Sequence, residues 1–355
     1  MPTRRVTWKM NPRRRMMMSE ERTLESGFAA LSFESLCRGL TEPQKTLIIC
    51  HARPDGDAIG SAFALKSILQ MTGSEAYCIC ADEVPKRLKF LTASIQSSSL
   101  IDSLPEDFLP ERIITVDTAS VDQMGKLGPA LAEMVTVMID HHKSGEKYAD
   151  YYVDINAAAT GEIIFRIATA LLTDKGRQIP LDVCRCLYAA ISSDTGCFKY
   201  SNVTASTHMA AASLVRSGID TAEINRLLFD SKNPARLNAE RIGLENLKTC
   251  CDGKIAIIAL DYDEIIEAGV DVEELDAFID VARCVDGVEV ALAIKQHEKD
   301  GKFRVSMRSN GNVDVSEICA SFGGGGHARA AGCGIDAEDK RSVAERVLRA
   351  VVEKI

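Results

Sequence analysis

The chain has 355 residues, 46% of them hydrophobic and 26% charged, with a formal net charge of −9. That length accommodates two domains of roughly 100–200 residues each, and the balance is globular rather than disordered, collagenous or low-complexity. No apolar run approaches the roughly 18 residues needed to cross a bilayer, so neither a spanning helix nor a membrane partner is expected.

The charge is uneven. Residues 1–18 carry Arg4, Arg5, Lys9, Arg13, Arg14 and Arg15 and no acid; setting those six charges apart from −9 leaves −15 for the rest. Such a body repels long duplex nucleic acid, whose binding rests on many phosphate contacts. A phosphate-bearing substrate is therefore expected to be small, or to be held by a local set of metals and arginines. Met16, Met17 and Met18 each offer a start, and residues 1–40 are expected to be a leader outside the fold, disordered or a mis-assigned start. Of the twelve cysteines six stand in CxC or CC spacings and none in a CxxC, which argues for reduced, mostly packed thiols and a cytoplasmic setting.

From residue 46 strand-like runs alternate with helical ones. Thr46–Cys50 is a strand, Ala58–Met71 a helix, and Glu75–Cys80, Arg112–Val116 and Met134–Ile139 are further strands. Continuous apolar runs separated by helices imply right-handed crossovers and a parallel, doubly wound α/β sheet. Residues 161–172, 181–192, 205–217 and 221–229 carry apolar side chains at helical spacing, punctuated by Pro180, Gly218 and Pro234. Residues 234–250 read as an amphipathic bridge. A smaller α/β domain follows: strands 254–260, 288–295 and 303–308, helices 272–283, 315–322 and 337–353, with a glycine-rich loop before the last. The expected organisation is a leader (1–40), a first domain (41–232), a linker helix (233–252) and a second domain (253–355).

Chemistry-bearing residues cluster where strands end. His51-Ala-Arg-Pro-Asp55-Gly-Asp57 follows the first strand, Asp117 the third and Asp140-His141-His142 the fourth, while Ser193-Asp194-Thr-Gly closes a helix. Loops at the carboxyl ends of parallel strands form the ligand crevice, and mixed His/Asp donors suit divalent ions. Singly, the Asp-rich loop reads equally as a helix cap and Asp117 as turn chemistry. The adjacent imidazoles beside a carboxylate favour a metal. Pooled, His51, Asp55, Asp57, Asp117, His141 and Asp194, with His142 nearby, suffice for two divalent ions sharing a carboxylate, an arrangement suited to in-line displacement at a phosphoester. In the second domain Gly323–Gly326, His327 and Arg329 offer backbone N–H groups and charge to a phosphate. Arg308 reads equally as a second phosphate ligand or an exposed strand-end arginine. His208 and His297 read as surface or packing residues.

These motifs, HARPDGDAIGS, VDT, DHH, SDTG and GGGGHARAAG, resemble those of the DHH phosphoesterase superfamily, and most of all its bifunctional oligoribonuclease and pAp phosphatase (nanoRNase-type) members, over about residues 44–335. The resemblance implies a DHH domain joined by a linker helix to a DHHA1 domain. It implies two manganese ions, with magnesium or cobalt as substitutes. His51, Asp55 and Asp117 would hold one; Asp57, the bridging Asp117, His141 and Asp194 the other. Asp57, Asp117 and His142 would stand at the reacting centre, and Asp140 would orient a neighbouring ligand. Gly324, Gly325, Gly326, His327, Arg329 and Arg308 would bind substrate phosphate. The expected substrates are short RNA oligonucleotides and pAp. Cyclic or linear dinucleotide hydrolysis, RecJ-like exonuclease action and a non-catalytic nucleotide-binding role remain the alternatives. A homodimer is one expected assembly.

Overall fold

The computed structural model describes residues 27–93 and 108–355. It divides into two compact units, the break falling between Ser231 and Lys232.

In the first unit five strands form one parallel sheet: β1 (Thr46–Cys50), β2 (Ala76–Ile79), β3 (Arg112–Val116), β4 (Val137–Asp140) and β5 (Asp150–Val153), in the order β2-β1-β3-β4-β5. The order reverses between β1 and β3, which opens a crevice beyond their carboxyl ends. β1 and β3 are buried throughout. One face of the sheet is covered by α2 (Gly56–Met71), α3 (Thr160–Leu171) and α4 (Leu181–Asp194). The other packs Leu47, Ile49, Ile113 and Met138 against Met124, Leu131 and Val135 from short helical turns. A Cβ on Gly60 would stand 2.4 Å from the Cys186 carbonyl oxygen, so glycine is what allows α2 and α4 to touch backbone to backbone.

The start of the fold differs from expectation. Residues 1–26 lie outside the described residues, but the fold begins well before residue 41. Leu31 donates its N–H to the Tyr151 carbonyl beside β5, and α1 (Phe33–Thr41) is capped by Ser32 and buries Leu36 and Leu40 in the core. The amphipathic spacing of α1 lies just beyond the basic arm, whose composition dominates the sequence reading. β5, half-buried along its length, was not expected. The expected strand 134–139 begins later, because Ala132–Met134 forms a helical turn whose apolar residues pack under the sheet.

The second unit holds a six-stranded mixed sheet: β6 (Lys248–Cys250), β7 (Ile255–Leu260), β8 (Val290–Lys295), β9 (Lys302–Ser309), β10 (Gly325–His327) and β11 (Ala330–Asp336), ordered β10-β11-β9-β8-β7-β6. Only the β7–β8 pair is parallel. α6 (Pro234–Asn246) and α7 (Ala277–Arg283) cover one face; α8 (Val315–Ser321) and α9 (Lys340–Val352) cover the other. The expected bridging helix is therefore shorter and belongs to this unit. Ala239 and Ile242 sit in its core, and residues 248–250 leave the helix to pair antiparallel with β7. The expected glycine-rich loop is a hairpin edge, with Gly325, Gly326 and His327 opposite Gly332, Ala331 and Ala330. Gly324 owes its identity to close approach, since a Cβ there would come within 2.2 Å of the Gly332 carbonyl oxygen. No helix among the described residues is long and apolar enough to cross a membrane, and all twelve cysteines carry free thiols.

Candidate metal centre

Sheet register builds the site. Cys50 pairs with Val116, and Val116 with Ile139. The residues that follow, His51, Asp117 and Asp140, therefore emerge side by side at the rim, with His141 and His142 just beyond. Asp117 takes a left-handed φ of 52°, a conformation costing a non-glycine residue about 1–2 kcal/mol and typical of strained functional positions. Asp55 caps α2, its Oδ1 accepting the N–H groups of Asp57 and Ala58. The capping role thus exists and uses one carboxylate oxygen. Asp194 is the last residue of α4.

These side chains converge. His51 Nε2 lies 3.5 Å from Asp117 Oδ2 and 3.7 Å from Asp55 Oδ1. His141 Nε2 lies 3.2 Å from Asp194 Oδ2, 3.7 Å from Asp117 Oδ1 and 3.9 Å from Asp57 Oδ2. The donor atoms of His51–Asp55–Asp117, of Asp57–His141–Asp194 and of Asp117–His141–His142 each lie within 4.8 Å of one another. Asp117 thus faces His51 with Oδ2 and both His141 and His142 with Oδ1. The other ring nitrogens are committed: His51 Nδ1 donates to the Ala52 carbonyl (2.8 Å) and His141 Nδ1 to that of Ala157 (3.3 Å). Such bonds fix tautomer and ring orientation and leave Nε2 for a ligand.

Asp140 holds both of the histidines that follow it. Its Oδ1 accepts the His141 N–H (2.8 Å) and His142 Nδ1 (2.7 Å), so it grips the imidazole of His142, while the ring of His141 is set by Ala157. Asp57, fully buried, receives Ser61 Oγ and Gly161 N–H on Oδ1 and Thr160 N–H on Oδ2. The Thr160 hydroxyl also bonds Asp117 Oδ1 at 3.1 Å. The sequence reading did not single out Ser61, Thr160 or Gly161. Thr160 and Gly161 look like an ordinary helix start; only the fold brings them, more than a hundred residues along the chain, onto Asp57.

The electrostatics ask for a cation. Burial, then the charges of Asp117 and Asp194, push the Asp57 carboxyl well above its ordinary value. Burial also raises Asp194, to about 6, despite the bond to His141. Burial opposes charge on His51 and His141, yet their carboxylate partners overcome it and hold both imidazoles protonated well above the usual range. Burial likewise raises Asp117, but its bond to His51 and the neighbouring imidazolium charges outweigh this and keep it well below the carboxylate range. The cluster holds protons where divalent cations would serve the same charges. Mixed imidazole and carboxylate donors at this spacing fit such ions.

The remaining candidates lie in the second unit. Arg308 is the next-to-last residue of β9, opposite Ala330, its Nη1 bonding the Met307 carbonyl at 3.0 Å. Arg329 caps the hairpin: its carbonyl accepts the Ser309 N–H and its Nη1 donates to Ser309 Oγ. Gly324, Gly325 and Gly326 lead into and form β10, with His327 as its last residue.

The DHH family, N-terminal domain, matches residues 45–191, and the DHHA1 domain matches residues 252–354. A relative from Thermus thermophilus, "Bifunctional oligoribonuclease and PAP phosphatase NrnA", is 30% identical over 310 residues, covering 87% of this chain and 89% of its own. The chain belongs to the DHH family of phosphoesterases. Among solved structures, this DHH protein shares its fold with an exopolyphosphatase-related protein from Bacteroides fragilis (TM-score 0.77, 21% identity, 90% of this chain and 95% of that one). RecJ from Thermus thermophilus, solved in complex with Mn2+, is a more distant fold neighbour (TM-score 0.50, 16% identity, 93% of this chain and 56% of that one).

Proposed function

We propose that this DHH protein is a manganese-dependent phosphoesterase that hydrolyses short oligoribonucleotides to nucleoside monophosphates and removes the 3′-phosphate of pAp. The observation that carries the reading is the convergence of His51, Asp55, Asp57, Asp117, His141 and Asp194 at one sheet rim, their donor atoms grouped within 4.8 Å in sets that meet at Asp117 and His141. The printed activity of the Thermus relative and the Mn2+ in the RecJ structure support the substrates and the ion.

A bound ion pair supplies an activated water and stabilises the attacking and leaving oxygens of an in-line displacement. The chain does the rest. His51, Asp55 and Asp117 would hold one ion; Asp57, Asp117, His141 and Asp194 the other. Burial opposes a proton on His142, but the bond to Asp140 prevails and raises its pKa. When protonated, its imidazole beside Asp117 can face the negative charge of the reacting phosphate. Arg308, Arg329 and the β10–β11 hairpin would take the remaining phosphate or nucleotide, as charge-assisted donors and exposed N–H groups do. A reducing, cytoplasmic setting suits twelve free thiols.

The test is a side-by-side assay of the full chain with Mn2+ on pAp, oligoribonucleotides of two to five residues, cyclic dinucleotides and long single-stranded DNA. Turnover of pAp and short RNA, abolished by chelator and restored by Mn2+ better than by Mg2+, is the expected outcome. Turnover confined to cyclic dinucleotides, or to long DNA, would replace the substrate assignment. Binding of pAp without release of phosphate would make the protein a nucleotide binder.

A further inference from the structure

One residue in the first unit, Ala158, is gripped at both of its backbone polar groups. The N–H of Ala158, which is 1% exposed, donates to Glu162 Oε2 at 3.2 Å. Its carbonyl accepts Asn202 Nδ2 at 2.9 Å. Both gripping side chains have further partners. Glu162, 3% exposed, also accepts the hydroxyls of Ser206 (2.7 Å) and Thr207 (2.9 Å) from the first turn of α5 (Ala205–Arg216). Asn202 Nδ2 also reaches the carbonyl of Asp194 at 3.1 Å. Both acceptors of Asn202 are carbonyls, so its amide nitrogen must face them.

The gripped segment touches three of the proposed ligands and is tied to a fourth. The Ala157 carbonyl sets the His141 ring. The N–H groups of Thr160 and Gly161 hold Asp57, and the Thr160 hydroxyl holds Asp117. Through Asn202 the same segment is tied to the Asp194 turn. Groups that orient ligands typically change metal affinity by about 10–100-fold when removed. Neither Glu162 nor Asn202 is among the residues whose donor atoms converge in the cluster.

We infer that Glu162 and Asn202 are positioning residues. By clamping the Ala158 backbone they fix the segment that orients His141, Asp57 and Asp117 and tie it to the Asp194 turn, and so set the affinity of the site for its divalent ions. The inference rests on the metal reading proposed above.

The role is one of hydrogen bonding, not of charge, and that separates it from a merely structural one. A glutamine at 162 can still accept the Ala158 N–H through its carbonyl oxygen, while its amide donates to a hydroxyl that turns to accept. Alanine can do neither. Asn202 is exposed, so its truncation removes the clamp without opening the core.

The experiment is a Mn2+ titration of the metal-free full chain, by calorimetry and by the loss of the free-ion paramagnetic resonance signal, with circular dichroism of each variant. Asn202→Ala and Glu162→Ala are expected to weaken Mn2+ binding about 10–100-fold, with Glu162→Gln within about threefold of wild type. Asn202→Ala stands alone should Glu162→Ala fail to fold. Wild-type affinity in a folded Asn202→Ala, or a loss in Glu162→Gln as deep as in Glu162→Ala, overturns the clamp while leaving the metal reading in place. A wild-type chain that takes up no Mn2+ overturns the metal reading, and the clamp with it.

Discussion

The two units place their chemistry by opposite means. In the first, the candidate ligands come from four segments spread between residues 51 and 194, and the register of β1, β3 and β4 brings the ends of three of them into line. In the second, Arg308, His327 and Arg329 are neighbours along one antiparallel ladder and its turn, where Ala330 pairs with both Arg308 and His327. The first arrangement is buried at Asp57, Asp117 and His141 and partly buried at His51, Asp55 and Asp194, and its oxygens are crowded with donors: Asp57 alone accepts three. The arginines of the second are at least partly exposed. Long-range convergence in a low-dielectric rim suits fixed ions; a short polar ladder suits a ligand that arrives and leaves. Changes to the first unit should therefore abolish chemistry, and changes to the second should weaken binding.

The sharpest way to break that contrast is Asp117→Ala. Asp117 Oδ2 faces His51 and Oδ1 faces His141, so its loss dismantles both proposed ion sites at once. Turnover of pAp should fall below detection at saturating substrate, while circular dichroism reports an intact fold. Measurable turnover in Mn2+ would deny Asp117 its place between the two sites.

A second effect concerns protons. Without metal, Asp194 titrates near 6 and the imidazoles of His51 and His141 hold protons well above their ordinary range. Metal binding requires carboxylates and neutral imidazoles, so it must release protons. Apparent Mn2+ affinity should therefore rise with pH and fall as pH drops through 6, by about tenfold per pH unit for each proton displaced. Calorimetry in buffers of different ionisation enthalpy counts those protons. A pH-independent affinity between 5 and 8 would show that the cluster is not the binding site. No comparable dependence is expected for nucleotide binding through Arg308 and Arg329, whose guanidinium groups stay charged.

The same contrast governs what could be read in advance. β1 and β3 were legible to the residue because TLIIC and RIITV are unbroken apolar runs, buried on both faces. β5 was not, because Asp150–Val153 is half-buried and carries no such signal. β10 and β11 were missed because Gly325–His327 and Ala330–Asp336 are built of glycine and alanine, residues depleted in strand patterns. Their pairing is imposed by the neighbouring β9. At the site, ligand-type residues announced themselves by chemistry and by position after strands. The groups that hold them did not, since a backbone N–H at Thr160 or Gly161 has no letter of its own. Glu162 and Asn202 looked like helix and turn residues for the same reason: their partners lie in other elements.

The smallest predicted effect lies in the second unit. Arg308 stands on the face of β9 turned toward α7, and its charge helps hold the Asp276 carboxyl below its ordinary value: burial opposes this, and Lys295 contributes most in its favour. Removing the guanidinium should cost one charge-assisted hydrogen bond to substrate, about 1.5–3 kcal/mol, or about 10–100-fold in binding. If the bond is made equally to bound substrate and transition state, Arg308→Ala raises KM for pAp by that factor and leaves kcat within about twofold. Arg308→Lys, which keeps the charge but not the planar fork, should fall between the two. A drop in kcat with KM unchanged would mean that Arg308 acts on the reacting phosphate itself. The second unit would then share in the chemistry rather than in substrate retention, and the division of labour between the two sheets would have to be redrawn.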